Sequence, residues 1–85
     1  MAQVVIYTKT YCPYSKACKA FLDGKGVKYA EKTIDEDSAL QMEMEQKSSM
    51  RTDTPQVFIN DHHIGTFDDL KALDQEGELD KMLDL

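Results

Sequence analysis

Twelve residues into the chain a strand pattern gives way to a helix pattern, and a cysteine stands on the boundary. Gln3-Val4-Val5-Ile6-Tyr7 is a short β-branched run of the kind that forms a buried strand, and Thr8-Lys9-Thr10 is a polar turn behind it. Pro13 fits the first turn of a helix, where its missing N–H costs nothing. Ala17, Ala20, Phe21 and Leu22 carry that helix, and Gly24-Lys25-Gly26 ends it. Lys28 to Ile34 reads as a second strand, and two strands joined by one crossover helix lie parallel with a right-handed connection. The opening third therefore commits the chain to an α/β sheet. It also sets Cys12 beyond the carboxyl end of the first strand, the usual place for a site in such a sheet.

The remainder completes a small layered domain. Asp35 to Asp37 start a second helix carried by Ala39, Leu40, Met44 and Met42, its methionines read as core filler, and ending near Ser48-Ser49. Gln56-Val57-Phe58-Ile59-Asn60 is a third strand, and Asn60-Asp61 turns tightly into a fourth, His62-His63-Ile64, which Gly65 breaks. Asp68-Asp69 cap a last helix running through Leu70 and Leu73 to Leu79–Leu83. The expectation is a β-α-β-α-β-β-α order: a mixed four-stranded sheet with helices on both faces, in one domain spanning 1–85.

Composition narrows the function classes. The formal charge of −6 argues against general nucleic-acid binding. No apolar run approaches the ~18 residues of a membrane span, and Met1 to Ile6 lacks the pattern of a signal peptide, so the cytoplasm is the expected compartment and no membrane partner is expected. The charge is uneven: residues 1–30 hold five lysines against one aspartate, whereas residues 31–85 hold five basic and fifteen acidic residues. The lysines are read as a solvated helix face or as local attraction for anions, with Lys9, three residues before the thiol, the best placed to act on an anion or a thiolate.

A thiol at a helix N-terminus meets unpaired N–H groups and the positive end of the macrodipole, and both favour the nucleophilic thiolate. Cys18 lies six residues further on. In one intact helix the two Cα atoms stand roughly 10 Å apart, too far for a disulfide, and Cys18 is read as a small apolar residue against the sheet. Adjacent strand residues point to opposite faces, so His62 and His63 are read as hairpin surface, and no metal ligand is assigned. Tyr7 and Tyr29 read as packing, and Tyr11 either shields the sulfur or meets a substrate.

Three separated motifs carry a family resemblance: Thr8-Lys9-Thr10-Tyr11-Cys12-Pro13-Tyr14, Arg51 to Asn60, and His63-Ile64-Gly65-Thr66-Phe67-Asp68-Asp69-Leu70. In these the chain resembles the glutaredoxins, in particular the small bacterial type with a minimal thioredoxin-like fold. The resemblance implies glutathione as cosubstrate, with no metal required, and Cys12 as nucleophile. It implies that Lys9 and Tyr14 line the glutathione groove and that Thr54-Pro55 is the dipeptide at a cis proline, its backbone edge pairing with the glutathione cysteine. Phe67 and Asp68 match the turn whose N–H groups receive the γ-glutamyl carboxylate, with Asp68, and Asp69 less directly, facing the γ-glutamyl amine.

Three residues depart from the family pattern. Ser15 replaces the usual second cysteine, either as the natural residue or as an introduced one; Thr54 stands where valine is common, and Thr66 where a second glycine is common. One sulfur suffices for a monothiol cycle. Cys12 attacks the glutathione sulfur of a glutathionylated protein, the protein thiol leaves, and a second glutathione resolves the Cys12–glutathione disulfide. A monomer acting on glutathionylated proteins is the expected form. The alternative is a dimer holding one [2Fe-2S] cluster through two Cys12 thiolates and two glutathiones, which a brown colour lost on removing glutathione would favour. Proline at position 13 and the absence of a Cys-Gly-Phe-Ser site speak against it. A non-catalytic adaptor on the same fold would leave the groove motifs without a purpose.

Overall fold

The computed structural model describes residues 2–85; Met1, which the single-domain reading of 1–85 includes, lies outside the described residues. Strand β1 (Val4–Thr8) leads through the turn at Thr10–Tyr11 to helix α1 (Pro13–Gly24) and strand β2 (Ala30–Thr33). A 3-10 turn (Ile34–Glu36) precedes helix α2 (Ser38–Lys47). Strands β3 (Gln56–Ile59) and β4 (His62–Gly65) follow, then helices α3 (Phe67–Gln75) and α4 (Leu79–Met82). The sheet order is β2-β1-β3-β4, with β1 parallel to β2 and antiparallel to β3, and β3 antiparallel to β4. This is the expected mixed four-stranded α/β sheet.

Period-two alternation along the central strands splits the core in two. Val4, Ile6, Val57 and Ile59 face one layer, where Cys18 and Leu22 of α1, Leu70 of α3, and Leu79 and Leu83 pack. Tyr7 and Phe58 face the other, which Ile34 and Met44 cover. Tyr7 and Phe58 meet edge to face at 5.4 Å, and the Tyr7 hydroxyl donates to Glu43 Oε2. Truncating a fully buried residue such as Ile6, Leu22 or Met44 to alanine costs about 2–5 kcal/mol in sites of this kind.

Several expected details shift. Ala17, Ala20 and Ala39 are exposed, while Cys18 and Leu22 form the buried stripe of α1, because the small side chain of alanine suits either environment. Met44 is buried but Met42 is 61% exposed, since a two-residue step on a helix changes face. The second strand is shorter than Lys28–Ile34, and Ile34 leaves the ladder to fill the α2-side core. Asp37 is the N-cap of α2, accepting from the Ala39 N–H at 2.9 Å. The last helix is two helices, separated at Gly77 (φ 76°). Its N-cap is Thr66 rather than Asp68-Asp69, with Asp69 completing a capping box.

The lysines of the first third are not simply a solvated face. Lys25 bonds Asp74 at 2.7 Å and Asp80 at 2.9 Å, tying the end of α1 to the last two helices, and Lys19 bonds Glu31 at 2.9 Å. The basic third is thus partly matched from within by the acidic remainder.

Asn60 and Asp61 both take positive φ (51° and 66°), the geometry of a two-residue hairpin that matches strand twist. Gly65 holds φ 120°, and a Cβ there would run into the Asp69 carboxylate that caps α3. Gly65→Ala is expected to lower the unfolding free energy by about 1–3 kcal/mol, seen as a lower urea midpoint at unchanged m-value. An unaltered midpoint would contradict the steric role given to this glycine.

Candidate active site

Cys12 is the N-cap of α1 (φ −86°, ψ 117°), with Pro13 as the first helical residue. Its N–H donates to the Lys9 carbonyl at 3.2 Å, closing the turn that leaves β1, and its carbonyl accepts from Lys16 N–H at 3.2 Å. The half-buried sulfur lies against the loop before β3, Sγ donating to the Thr54 carbonyl at 3.6 Å. Burial pushes the Cys12 pKa up. The Thr54 and Ser15 side chains and the N–H groups of Ser15 and Tyr14 outweigh it, holding the thiol below its ordinary value.

Ser15 is 1% exposed, and its Oγ is the buried side-chain oxygen or nitrogen, among the described residues, without a hydrogen-bond partner. The same hydroxyl nevertheless favours ionisation of Cys12. A neutral thiol is a weak acceptor and a thiolate a strong one. The orphaned hydroxyl is therefore expected to gain its bond when Cys12 ionises. Cys18, by contrast, sits in the α1-side core, where burial pushes its thiol up to about 11.

Beside the sulfur a cleft of about 360 Å³ brings together Tyr14, Thr54, Pro55, Phe67 and Asp68, from three separate stretches of the sequence. The Thr54–Pro55 peptide bond is cis. Phe67 and Asp68 open α3, so the positive end of that helix faces the cleft. Lys9, Cys12, Ser15 and Asp69 are not on the cleft wall; the sulfur is joined to it through Thr54, which lines the cleft and accepts from Sγ. The Asp69 carboxylate turns back to accept from the Thr66 N–H at 2.8 Å and the Thr66 hydroxyl at 3.1 Å. Tyr11 (70% exposed) and Tyr14 (62% exposed) flank the thiol at the surface.

Sequence reasoning missed Arg51 and Asp53 as members of this wall, which also includes Thr66, the residue that stands where a second glycine is common. Arg51 donates Nε to Asp53 Oδ1 at 3.1 Å and Nη2 to Asp53 Oδ2 at 2.7 Å, and this bond to Arg51 holds the Asp53 carboxyl below the usual carboxylate range. The buried Gln56 donates Nε2 to the Asp53 carbonyl at 2.9 Å and to Oδ1 at 3.0 Å. His63 completes the row by donating Nε2 to Gln56 Oε1 at 2.7 Å, its ring 5.0 Å from Phe58. The one signal in the sequence was an opposite-charge pair two residues apart, just ahead of Thr54-Pro55.

A glutaredoxin family model matches residues 4–64. The chain is 51% identical to glutaredoxin 3 of Escherichia coli (strain K12) over 83 residues, 98% of this chain and 99% of that protein. The solution structure of a glutaredoxin from Brucella melitensis superposes with a TM-score of 0.83 at 42% identity, covering 98% of this chain and 89% of the other. A buckwheat glutaredoxin–glutathione complex superposes with a TM-score of 0.87 at 31% identity, covering 95% and 76%.

The Ser15 geometry has a direct consequence. Ser15→Ala removes a donor that acts on the ionised sulfur alone, so the pH midpoint of Cys12 alkylation by iodoacetamide is expected to move upward. The wild-type thiolate persists to lower pH because its pKa is depressed. A midpoint that stays in place would show that the hydroxyl does not bond the thiolate.

Proposed function

The chain belongs to the glutaredoxin family of thiol–disulfide oxidoreductases, and on that premise we propose that it reduces protein–glutathione mixed disulfides by a one-sulfur cycle through a Cys12–glutathione intermediate. The observation that carries this reading is the placement of the Cys12 sulfur, at a helix N-cap and against the backbone of Thr54, a residue that lines a peptide-sized cleft. The buckwheat relative was solved as a complex with glutathione, which supports the same tripeptide as cosubstrate.

The Cys12 thiolate attacks the glutathione sulfur of the glutathionylated protein. The mixed S–S bond breaks, the protein leaves as its thiolate, and a Cys12–glutathione disulfide forms. Bonds donated to the Cys12 thiolate make it more available than an ordinary thiol and later make it a better leaving group. Thr54 offers a backbone edge to the cysteine of glutathione, as an added strand would use it. The start of α3 at Phe67 and Asp68 receives the γ-glutamyl end: N–H groups toward the carboxylate, the Asp68 side chain toward the ammonium. Arg51 serves the second carboxylate. A second glutathione thiolate then attacks the bound glutathione sulfur, giving oxidised glutathione and returning Cys12 as thiolate.

Ser15 removes a competing path. With cysteine there, an intramolecular disulfide would clear a protein caught on Cys12; a hydroxyl cannot form it, and Cys18 is enclosed in the core. Incubation with oxidised glutathione is expected to add one glutathione by intact mass, lost in Cys12→Ser. Reduction of insulin disulfides in the absence of glutathione should be weak and should rise in Ser15→Cys. Vigorous insulin reduction by the wild-type chain alone would refute the one-sulfur cycle.

A further inference from the structure

We propose that Asp53 occupies, as an internal carboxylate, the guanidinium fork of Arg51 that a glutathione carboxylate would use, and so weakens glutathione binding at this cleft. The inference rests on the glutathione reading above. Among the described residues lining the cleft Arg51 is the one cation, and both bonds of its fork already go to Asp53. A bidentate arginine–carboxylate pair is the geometry by which arginine recognises a ligand carboxylate, so Asp53 and the ligand compete for the same donors.

Two further observations make this a built arrangement. Asp53 is held from behind by the buried Gln56, which is itself held by His63 on β4, so the carboxylate is aimed at Arg51 by the sheet and not by chance rotamer choice. The charge balance also points to Asp53 as the surplus group. Glutathione brings two carboxylates and one ammonium; the α3 N-terminus and Arg51 complement the carboxylates, and Asp68 complements the ammonium. Asp53 adds a negative charge with no counterpart on the ligand. Its side chain and that of Arg51 are 53% and 40% exposed, so the pair opens readily and acts as a competitor, not a block.

The test is steady-state reduction of a glutathionylated peptide, with that peptide varied at fixed, saturating reduced glutathione, for the full chain, Asp53→Asn, Arg51→Leu and the double variant. Asp53→Asn is expected to lower KM for the glutathionylated peptide about two- to fivefold at low ionic strength, the range of one partly exposed charge interaction, with the gap closing in high salt. Arg51→Leu should raise KM by a larger factor in the Asp53→Asn background than in wild type, because the fork is then free. Repeating the pair with the peptide joined to the glycyl ethyl ester of glutathione tells which carboxylate is involved. If the advantage vanishes it is the glycyl group, if it persists the γ-glutamyl group, and either supports the proposal. A KM for Asp53→Asn that is unchanged or higher would overturn it, showing that Asp53 only steadies Arg51. Asp53→Ser gives the same comparison if the asparagine variant fails to fold. If the wild-type chain gains no glutathione on Cys12 and shows no turnover, the glutathione reading fails and this inference with it.

Discussion

Everything at the site depends on the register of β1 against β3. Tyr7 lies opposite Gln56 in an antiparallel pair, so the loop that enters β3 runs past the end of β1, where the chain has just turned toward Cys12. That places Thr54 and Pro55 beside the sulfur without any contact designed for the purpose. β4 returns antiparallel to β3, so its end at Gly65, and the start of α3 behind it, emerge on the same edge. Three segments far apart in sequence meet there. A one-residue slip would exchange the faces of Ile6 and Tyr7 and expose both cores, so the hydrophobic alternation that stabilises the sheet also fixes the site.

The electrostatics at that edge are made mainly of backbone and short polar side chains. Cys12 is favoured as thiolate by the N–H groups of its own helix and by two hydroxyl-bearing neighbours, and the second helix start carries the positive end of α3 to the cleft. Formal charge plays a smaller part than the lysine-rich first third suggests, because Lys19 and Lys25 are engaged with Glu31, Asp74 and Asp80. Ser15 is the least compensated group, a buried hydroxyl without a hydrogen-bond partner among the described residues.

The succession of elements along the chain and the position of the thiol were legible because β-branched runs, a proline at a helix start and a two-residue turn each have one physical reading. Boundaries were less so. Ile34 belongs to the strand by composition and to the core beneath α2 by position, and nothing local decides between them. Alanine on α1 gave no sign of facing solvent, and Thr66 was hidden as a cap behind the more conspicuous pair Asp68-Asp69. Arg51 and Asp53 were the real omissions. They lie in an irregular segment after two residues of positive φ, Ser49 and Met50, where no periodicity exists to show which way a side chain turns.

The two halves of the core are unequal. One face of the sheet is sealed by α1, α3 and α4, whereas the other is sealed by α2 and the turn before it, through Ile34, Met44 and the partly buried Leu40. The segment with least apolar surface to lose is the one expected to open locally before the whole domain unfolds. It is also the segment whose continuation carries Arg51 to Thr54. One wall of the cleft is therefore hung from the lightest layer of the molecule and the opposite wall from the heaviest. Local opening is therefore expected on the side of the cleft that carries Arg51 to Thr54, while the helix that holds Cys12 stays anchored.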